Sequence, residues 1–200
     1  MSRSTPSFHG WRATILHRAH ATVEAIALQL QQLGMTAVTA WPDLPSGWQP
    51  GEREVLFFDA DMGHEGQFPW APGQMPLPAV ALIGSEAPGR LAWAIAQGTD
   101  AHLLKPVGSG GVFAALVFAT EAFAQRQAHR AEAEDLHDRL AHRQVLAEAV
   151  ALLMVSEKRS AQNAYDHLRR LAMTERRTIE AMAEALVERQ EGRRDRNDRA

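Results

Sequence analysis

The chain has 200 residues, of which 46% are hydrophobic and 22% are charged, an ordinary composition for a globular protein. Its net charge of −3 argues against a protein that coats nucleic acid indiscriminately, while leaving room for a local basic face. The absence of cysteine excludes disulfides and thiolate metal sites, and no apolar run approaches the roughly 18 residues of a membrane span, so we expect a cytoplasmic protein.

Short apolar runs alternate with helical patterns in the first half of the chain. One predicted helix has an apolar stripe from Val23 to Leu33 and ends at Gly34, and another begins at Pro88 and ends at Gly98. Continuous apolar strands between helices predict an α/β domain with a flavodoxin-like, five-stranded parallel sheet covered on both faces. The predicted strands are 13–17, 36–41, 55–58, 79–84 and 101–104.

Two segments do not fit a regular domain of this kind. Residues 42–51 and 63–78 contain too many prolines and glycines for good crossover helices. We therefore expect short helices or irregular loops in both places.

The second half has a different composition, with no proline after Gly111 and glycine only at Gly192. It predicts one long helix from Val112 to about residue 154, in which Leu136 and Leu140 belong to a thin seam suited to a coiled-coil dimer. Two shorter helices follow, over 161–173 with Ser160 as N-cap and over 175–187 with Thr174 as N-cap. The charged segment after residue 189 is predicted to be disordered.

Two motifs at predicted strand ends carry a family resemblance. Asp59 closes FFD after the third strand, and Lys105 lies in LLKP after the fifth. Together with the βα alternation over residues 12–107, they resemble a response-regulator receiver domain. The resemblance implies that Asp59 is the phosphoryl acceptor, that Lys105 contacts the phosphoryl group, and that the bond between Lys105 and Pro106 can be cis.

The metal-binding half of that site is missing. The family holds Mg²⁺ with an acidic pair after the first strand, where this chain has His17 and Arg18, and Gly84 occupies the usual hydroxyl position. An arginine beside Asp59 would repel a cation. We therefore expect a degenerate pseudo-receiver without phosphotransfer, metal or cofactor, in which Asp59 and Lys105 alternatively form only an ion pair. The histidines, including His20, have no metal-site spacing and are expected to be loop or core residues.

The segment from Leu140 onward resembles the ANTAR domain of AmiR- and NasT-type antiterminators. The matching positions are Arg143, Leu146, Ala149, Leu153, Met154, Ala164, Leu168, Arg170, Ala172, Met173, Ile179 and Ala183, whereas Val150 and Ala151 replace the usual Lys-Gly. The predicted organisation is thus an N-terminal tail (1–11), a pseudo-receiver (12–111), a connecting helix (112–142), an all-α three-helix ANTAR domain (140–189) and a disordered tail (190–200).

The basic residues of this module are the candidate RNA contacts, because the guanidinium fork suits phosphates and base edges. In the alternative interpretation they form a solvated surface paired with Glu157, Asp166, Glu175 and Glu180. The candidates are Arg143, Lys158, Arg159, Arg169, Arg170, Arg176 and Arg177.

The ANTAR resemblance implies a regulator rather than an enzyme. A homodimer would bind hairpins in a nascent leader mRNA, prevent terminator formation and so act indirectly on RNA polymerase. Control would come from a ligand-sensing negative regulator protein, often of periplasmic-binding-protein type, instead of phosphorylation. Two alternatives stay open: a receiver-like protein-interaction module without an RNA target, and a phosphorylated DNA-binding response regulator.

Overall fold

The computed structural model describes residues 6–197, and the side chains of residues 6–190. The chain divides into two compact units, and the boundary between them along the sequence follows residue 128. Among the described helices, none combines the length and apolar content needed to cross a membrane. The elements are β1 (Arg12–Leu16), α1 (Ala21–Gln32), β2 (Thr36–Ala40), β3 (Glu54–Asp59), β4 (Ala79–Ile83), α2 (Pro88–Gln97), β5 (Ala101–Leu104), α3 (Val112–Glu157), α4 (Ala161–Thr174) and α5 (Ile179–Asn197).

The first unit is built on a five-stranded sheet in the order β2-β1-β3-β4-β5, with every pair parallel. All five predicted strands and the flavodoxin-like arrangement are confirmed. Strands β3 and β4 are buried along their whole length, because both faces of the sheet are covered. The strand order reverses between β1 and β3, which opens a crevice at the carboxyl ends of these strands.

Helix α1 and the first turns of α3 cover one face of this sheet. Val112 and Leu116 of α3 are fully buried in the same core as Ile26 of α1. The core of the receiver-like unit therefore extends beyond the expected boundary at residue 111, since this sheet face needs an apolar helix over it. Part of the expected N-terminal tail also packs: Phe8 is buried against Phe113. Residues 1–5 of that tail lie outside the described residues.

Helix α2 and two aromatic loops cover the other face. The described segments between β2 and β3 and between β3 and β4 contain no helix, so the prediction of irregular loops is confirmed. Phe68 stacks on Trp70 at 5.4 Å between ring centroids, and Phe58 meets Trp93 edge to face at 5.9 Å. Aromatic side chains bury a large apolar area, which lets a loop seal the sheet in place of a crossover helix.

The second unit is a three-helix domain built from the end of α3, α4 and α5. Its core is small and apolar, and it includes Leu153 of α3, Leu168 of α4 and Met182 of α5. Ser160 caps α4 as predicted, with its hydroxyl accepting a hydrogen bond from the Asn163 N–H at 3.3 Å.

The predicted start of the last helix is wrong. Thr174 is the final residue of α4, and its hydroxyl donates to the Arg170 carbonyl at 2.9 Å. Arg176 then has φ +54°, which ends the helical path, and Thr178 caps α5 by accepting from the Ala181 N–H at 3.2 Å.

The end of α5 also differs from the prediction. Helix α5 continues to Asn197, through most of the segment expected to be a disordered tail. Glu, Gln and Arg are strong helix formers, so charge alone does not end a helix. Residues 198–200 lie outside the described residues.

Asp100 ties α3 to the sheet. Its carboxylate accepts from the Ala79 N–H at 3.0 Å and from Arg126 Nη2 of α3 at 3.1 Å, while Arg126 Nη1 donates to the Gly98 carbonyl. Burial raises the pKa of Asp100 to about 6, although Arg126 and the Ala79 N–H act in the opposite direction.

We expect this carboxyl group to lower the stability of the receiver-like unit as the pH rises. The pKa of the Asp100 carboxyl is 3.8 in the unfolded chain and about 6 in the folded one. The folded state therefore binds this proton more tightly, and the stability that the bound proton contributes is lost as the pH rises through this range. Asp100→Asn should flatten this part of the pH profile of Tm. All five tryptophans belong to this unit, so tryptophan fluorescence reports its melting. Parallel profiles for the variant and the wild type would contradict the assignment.

Candidate functional site

Four strand ends converge at the crevice. His17 follows β1, Asp59 ends β3, Gly84 follows β4 and Lys105 follows β5. Because the strands are parallel, their carboxyl ends lie at one edge of the sheet, which is where such sheets place their sites. The bond between Lys105 and Pro106 is cis, in agreement with the receiver resemblance.

The Asp59 carboxylate is buried among polar groups of the chain itself. Oδ1 accepts from Lys105 Nζ at 2.7 Å and from the Asp61 N–H at 3.0 Å, and Oδ2 lies 3.2 Å from His17 Nε2. Asp59 is only 1% exposed. The predicted ion pair between Asp59 and Lys105 is therefore present, and the Asp59 side chain is almost fully buried.

The structure corrects the expected position of the arginine. His17, which is buried, lies against Asp59, whereas Arg18 is exposed and only its backbone carbonyl approaches the site, 2.6 Å from His17 Nδ1. The residue after a strand end turns toward solvent when its predecessor points into the crevice, since side chains alternate along an extended chain. His20 has a structural role as the N-cap of α1, accepting from the Thr22 N–H.

Asp61 is a member of this site that the motif comparison did not single out. Its Oδ2 lies 2.6 Å from Lys105 Nζ and accepts from the Gly84 N–H at 2.8 Å, and its Oδ1 accepts from the Ser85 N–H at 2.9 Å. Lys105 thus bridges Asp59 and Asp61. The available signal was its position two residues after Asp59, on the loop that leaves β3.

Five of the candidate arginines lie at or near the junction of α4 and α5. Arg169 and Arg170 lie on the exposed side of the last turns of α4, and Arg176 and Arg177 lie in the turn to α5. Arg143 of α3 lines a groove together with Thr178, the cap of α5. We call these five residues the basic corner. Within the described part of the chain, none of the five forms an ion pair.

The other two candidates lie apart from this corner. Lys158 and Arg159 precede α4, about 15 Å from its last turns at 1.5 Å rise per residue. Arg159 pairs with Glu157, as in the alternative interpretation, and Glu157 also contacts His167 at 3.5 Å. Of the four carboxylates proposed as neutralising partners, Asp166 also has a contact outside the candidate set, since it accepts from Gln162 at 3.3 Å.

Exposed non-basic side chains accompany the basic corner, and the sequence patterns did not indicate their exposure. Tyr165 and Met173 flank Arg169 at spacings of four residues on α4, which places the three side chains on one helical face. Tyr165 is 38% exposed and Met173 is 70% exposed. This face therefore combines a cation with an aromatic ring and a polarisable side chain that are open to a partner.

Similar solved structures include response regulators. ShkA Rec1 in complex with c-di-GMP is 23% identical, with 56% of this chain and 94% of that chain covered and a TM-score of 0.43. Full-length FixJ from B. japonicum is 17% identical, with 90% and 97% covered and a TM-score of 0.45. The response regulator StyR is 16% identical, with 90% and 99% covered and a TM-score of 0.44. Among curated proteins, no relative matches the chain.

Two family models match the chain in the order expected from its sequence. The model described as AmiR, N-terminal, matches residues 11–120, and the ANTAR domain model matches residues 134–187. The first alone spans more than half of the 200 residues. The chain therefore belongs to the AmiR family and is a regulator in which a receiver-like domain precedes an ANTAR domain.

Proposed function

We propose that this protein is a transcription antiterminator whose ANTAR domain binds hairpins in a nascent leader mRNA. The observation that carries the proposal is the basic corner, which lies inside the ANTAR match and whose arginines have no carboxylate partner among the described residues. Arginine donates paired hydrogen bonds to phosphates and base edges, and specific RNA readers favour loop bases that are already unstacked. The exposed ring of Tyr165 would suit stacking with such a base.

The backbone gives a second argument. Lys158 and Arg176 have φ +50° and +54°, at the ends of α3 and α4. Glycine is the usual residue in this conformation, and another residue costs on the order of 1–3 kcal/mol. Of the two, Arg176 belongs to the basic corner, and a cation kept there at this cost supports a role in binding.

We propose that control comes from a partner protein that senses a small molecule, with phosphorylation playing no part. The support is the state of the crevice, where the buried Asp59 pairs with Lys105 and has His17 beside it in place of an acidic metal ligand. A partner that binds the receiver-like domain could hold the dimer in an inactive complex until its ligand arrives.

Arg170→Ala and Arg177→Ala should each weaken binding to a leader hairpin pair by about 1–3 kcal/mol if the arginine contacts a base, by analogy with bidentate contacts to DNA. If the arginine contacts only a phosphate, its loss should instead weaken binding to all RNA sequences equally and lower the salt dependence of binding. Titrations at two salt concentrations, with duplex DNA as a second ligand, distinguish these cases. Arg53→Ala, an exposed arginine of the first unit, is the matched control. Unchanged affinity in both variants would contradict the assignment.

Arg176→Gly separates binding from folding. Glycine relieves the positive φ at this turn, so we expect the Tm of the ANTAR helices, followed by circular dichroism, to stay the same or rise. RNA affinity should nevertheless fall, because a cation of the basic corner is lost. A stable variant with undiminished RNA affinity would remove Arg176 from the interface.

Small phosphodonors with Mg²⁺ should leave the protein unmodified. Asp59 is buried and paired, and the position after β1 offers His17 in place of an acidic metal ligand. Intact-mass spectrometry after incubation with acetyl phosphate checks this, with a phosphorylatable receiver domain treated in parallel. A hydroxylamine-labile phosphoryl adduct that disappears in Asp59→Asn would refute the proposal.

We propose that α3 dimerises the protein. Leu136 and Leu140 are one helical turn apart and are 49% and 63% exposed in the single chain, so a second copy could cover them. Replacing both with glutamate should convert a dimer to a monomer in light scattering. The matched control places glutamate at His137 and Ala141, outside the seam. A wild type that is monomeric at micromolar concentration would contradict the proposed dimer.

A further inference from the structure

Three hydrogen-bond donors converge on the Asp61 carboxylate. They are Lys105 Nζ at 2.6 Å, the Gly84 N–H at 2.8 Å and the Ser85 N–H at 2.9 Å. Two successive backbone N–H groups and an ammonium form a donor set typical of a small-oxyanion site. We call these three donors the oxyanion cradle.

The carboxylate in the cradle is held in its charged form. Burial raises the pKa of Asp61, but the hydrogen bonds from Lys105 and from the Ser85 and Gly84 N–H groups outweigh it, so that its pKa lies below the ordinary value. These three donors therefore favour the anion over the acid. The charges facing Asp61 are the Lys105 ammonium and, across it, the Asp59 carboxylate.

The lack of a side chain at Gly84 leaves room for the Asp61 carboxylate in the oxyanion cradle. A Cβ atom added at Gly84 would lie 2.6 Å from Asp61 Oδ2 and 3.1 Å from Lys105 Cε. Real Cβ atoms do not approach that closely, so a larger residue at this position would displace the carboxylate. Receivers usually have a hydroxyl residue at this position. The glycine found here leaves the space that the Asp61 carboxylate occupies.

We infer that the crevice contains an oxyanion site for a small carboxylate, permanently filled by the side chain of Asp61. The chain carries its own anionic ligand, so the cradle stays in its anion-bound arrangement without any phosphodonor. Removing the side chain opens the cradle to a free carboxylate of matching size. This inference concerns the receiver-like unit alone and does not depend on RNA binding.

Chemical rescue tests the inference. Asp61→Ala should have a lower Tm than the wild type, and formate should raise that Tm in a saturable way, because a ligand that binds only the folded state stabilises it. Tryptophan fluorescence follows the melting, with sodium chloride at the same ionic strength as the reference. Glu86→Ala, which removes an exposed carboxylate from the adjoining loop, should not gain a response to formate. Asp61→Ala combined with Lys105→Ala should lose the response.

An Asp61→Ala protein that folds but does not respond to formate beyond chloride would overturn the inference. A rise in the Tm of the wild type with formate equal to that of Asp61→Ala would also overturn it. If Asp61→Ala does not fold, Gly84→Ala and Gly89→Ala provide the comparison, since an added Cβ meets nothing within 4 Å at Gly89. Gly84→Ala should lower the Tm clearly and Gly89→Ala should not. Equal tolerance at the two glycines would also overturn the inference.

Discussion

The Lys105 ammonium shared by Asp59 and Asp61 is the interaction on which the receiver-like unit depends. It lies 2.7 Å from one carboxylate and 2.6 Å from the other, at the point where the ends of β3 and β5 meet the loop after β4. Two carboxylates this close would repel each other without the cation between them. Its loss would leave the buried Asp59 with the Asp61 N–H and the His17 ring as its nearest polar neighbours. The same geometry occupies the atoms that a phosphoryl group would need.

The hydrogen-bond donors of the crevice are already bound to a side chain of the protein, and this bears on which signals the domain can sense. In a receiver that is switched by phosphate, the added charge creates new hydrogen bonds and shifts an equilibrium between two states. Here the donors for such charge already hold Asp61, and this is why we propose control by a partner protein at the surface of the domain. The ANTAR arginines, in contrast, are exposed and have no ion-pair partner among the described residues. The two units therefore contribute different properties, one a closed core and the other an open basic face.

Much of the fold could be predicted because its signals are local. The five strands are short apolar runs, and Gly34, Pro88 and Gly98 mark helix ends whose chemistry depends on neighbouring residues only. Helix α5 was placed too early because Thr174 and Thr178 are both good caps, and only the positive φ of Arg176 decides between them. The burial of Phe8 depends on tertiary packing, which the local sequence does not reveal. The length of α5 depends on the helix propensity of its residues, which their charge pattern does not reveal.

The site could be predicted only in part. Asp59 and Lys105 belong to short motifs, and their ion pair was anticipated. Asp61 was missed because its role depends on backbone N–H groups that follow another strand, more than twenty residues away. Which of the neighbours His17 and Arg18 enters the crevice depends on the direction in which the chain leaves β1. The seven basic candidates all lie within the ANTAR match, and the positions of the helices separate Lys158 and Arg159 from the others.

We propose that the unphosphorylated protein causes antitermination through RNA. In vitro transcription through a leader with paired hairpins that overlap a terminator tests it most directly, with purified protein added and no phosphodonor present. We expect increased read-through that depends on the hairpins and is unchanged by acetyl phosphate. Termination that is unaffected by the protein, or relieved only when a phosphodonor is supplied, would contradict it.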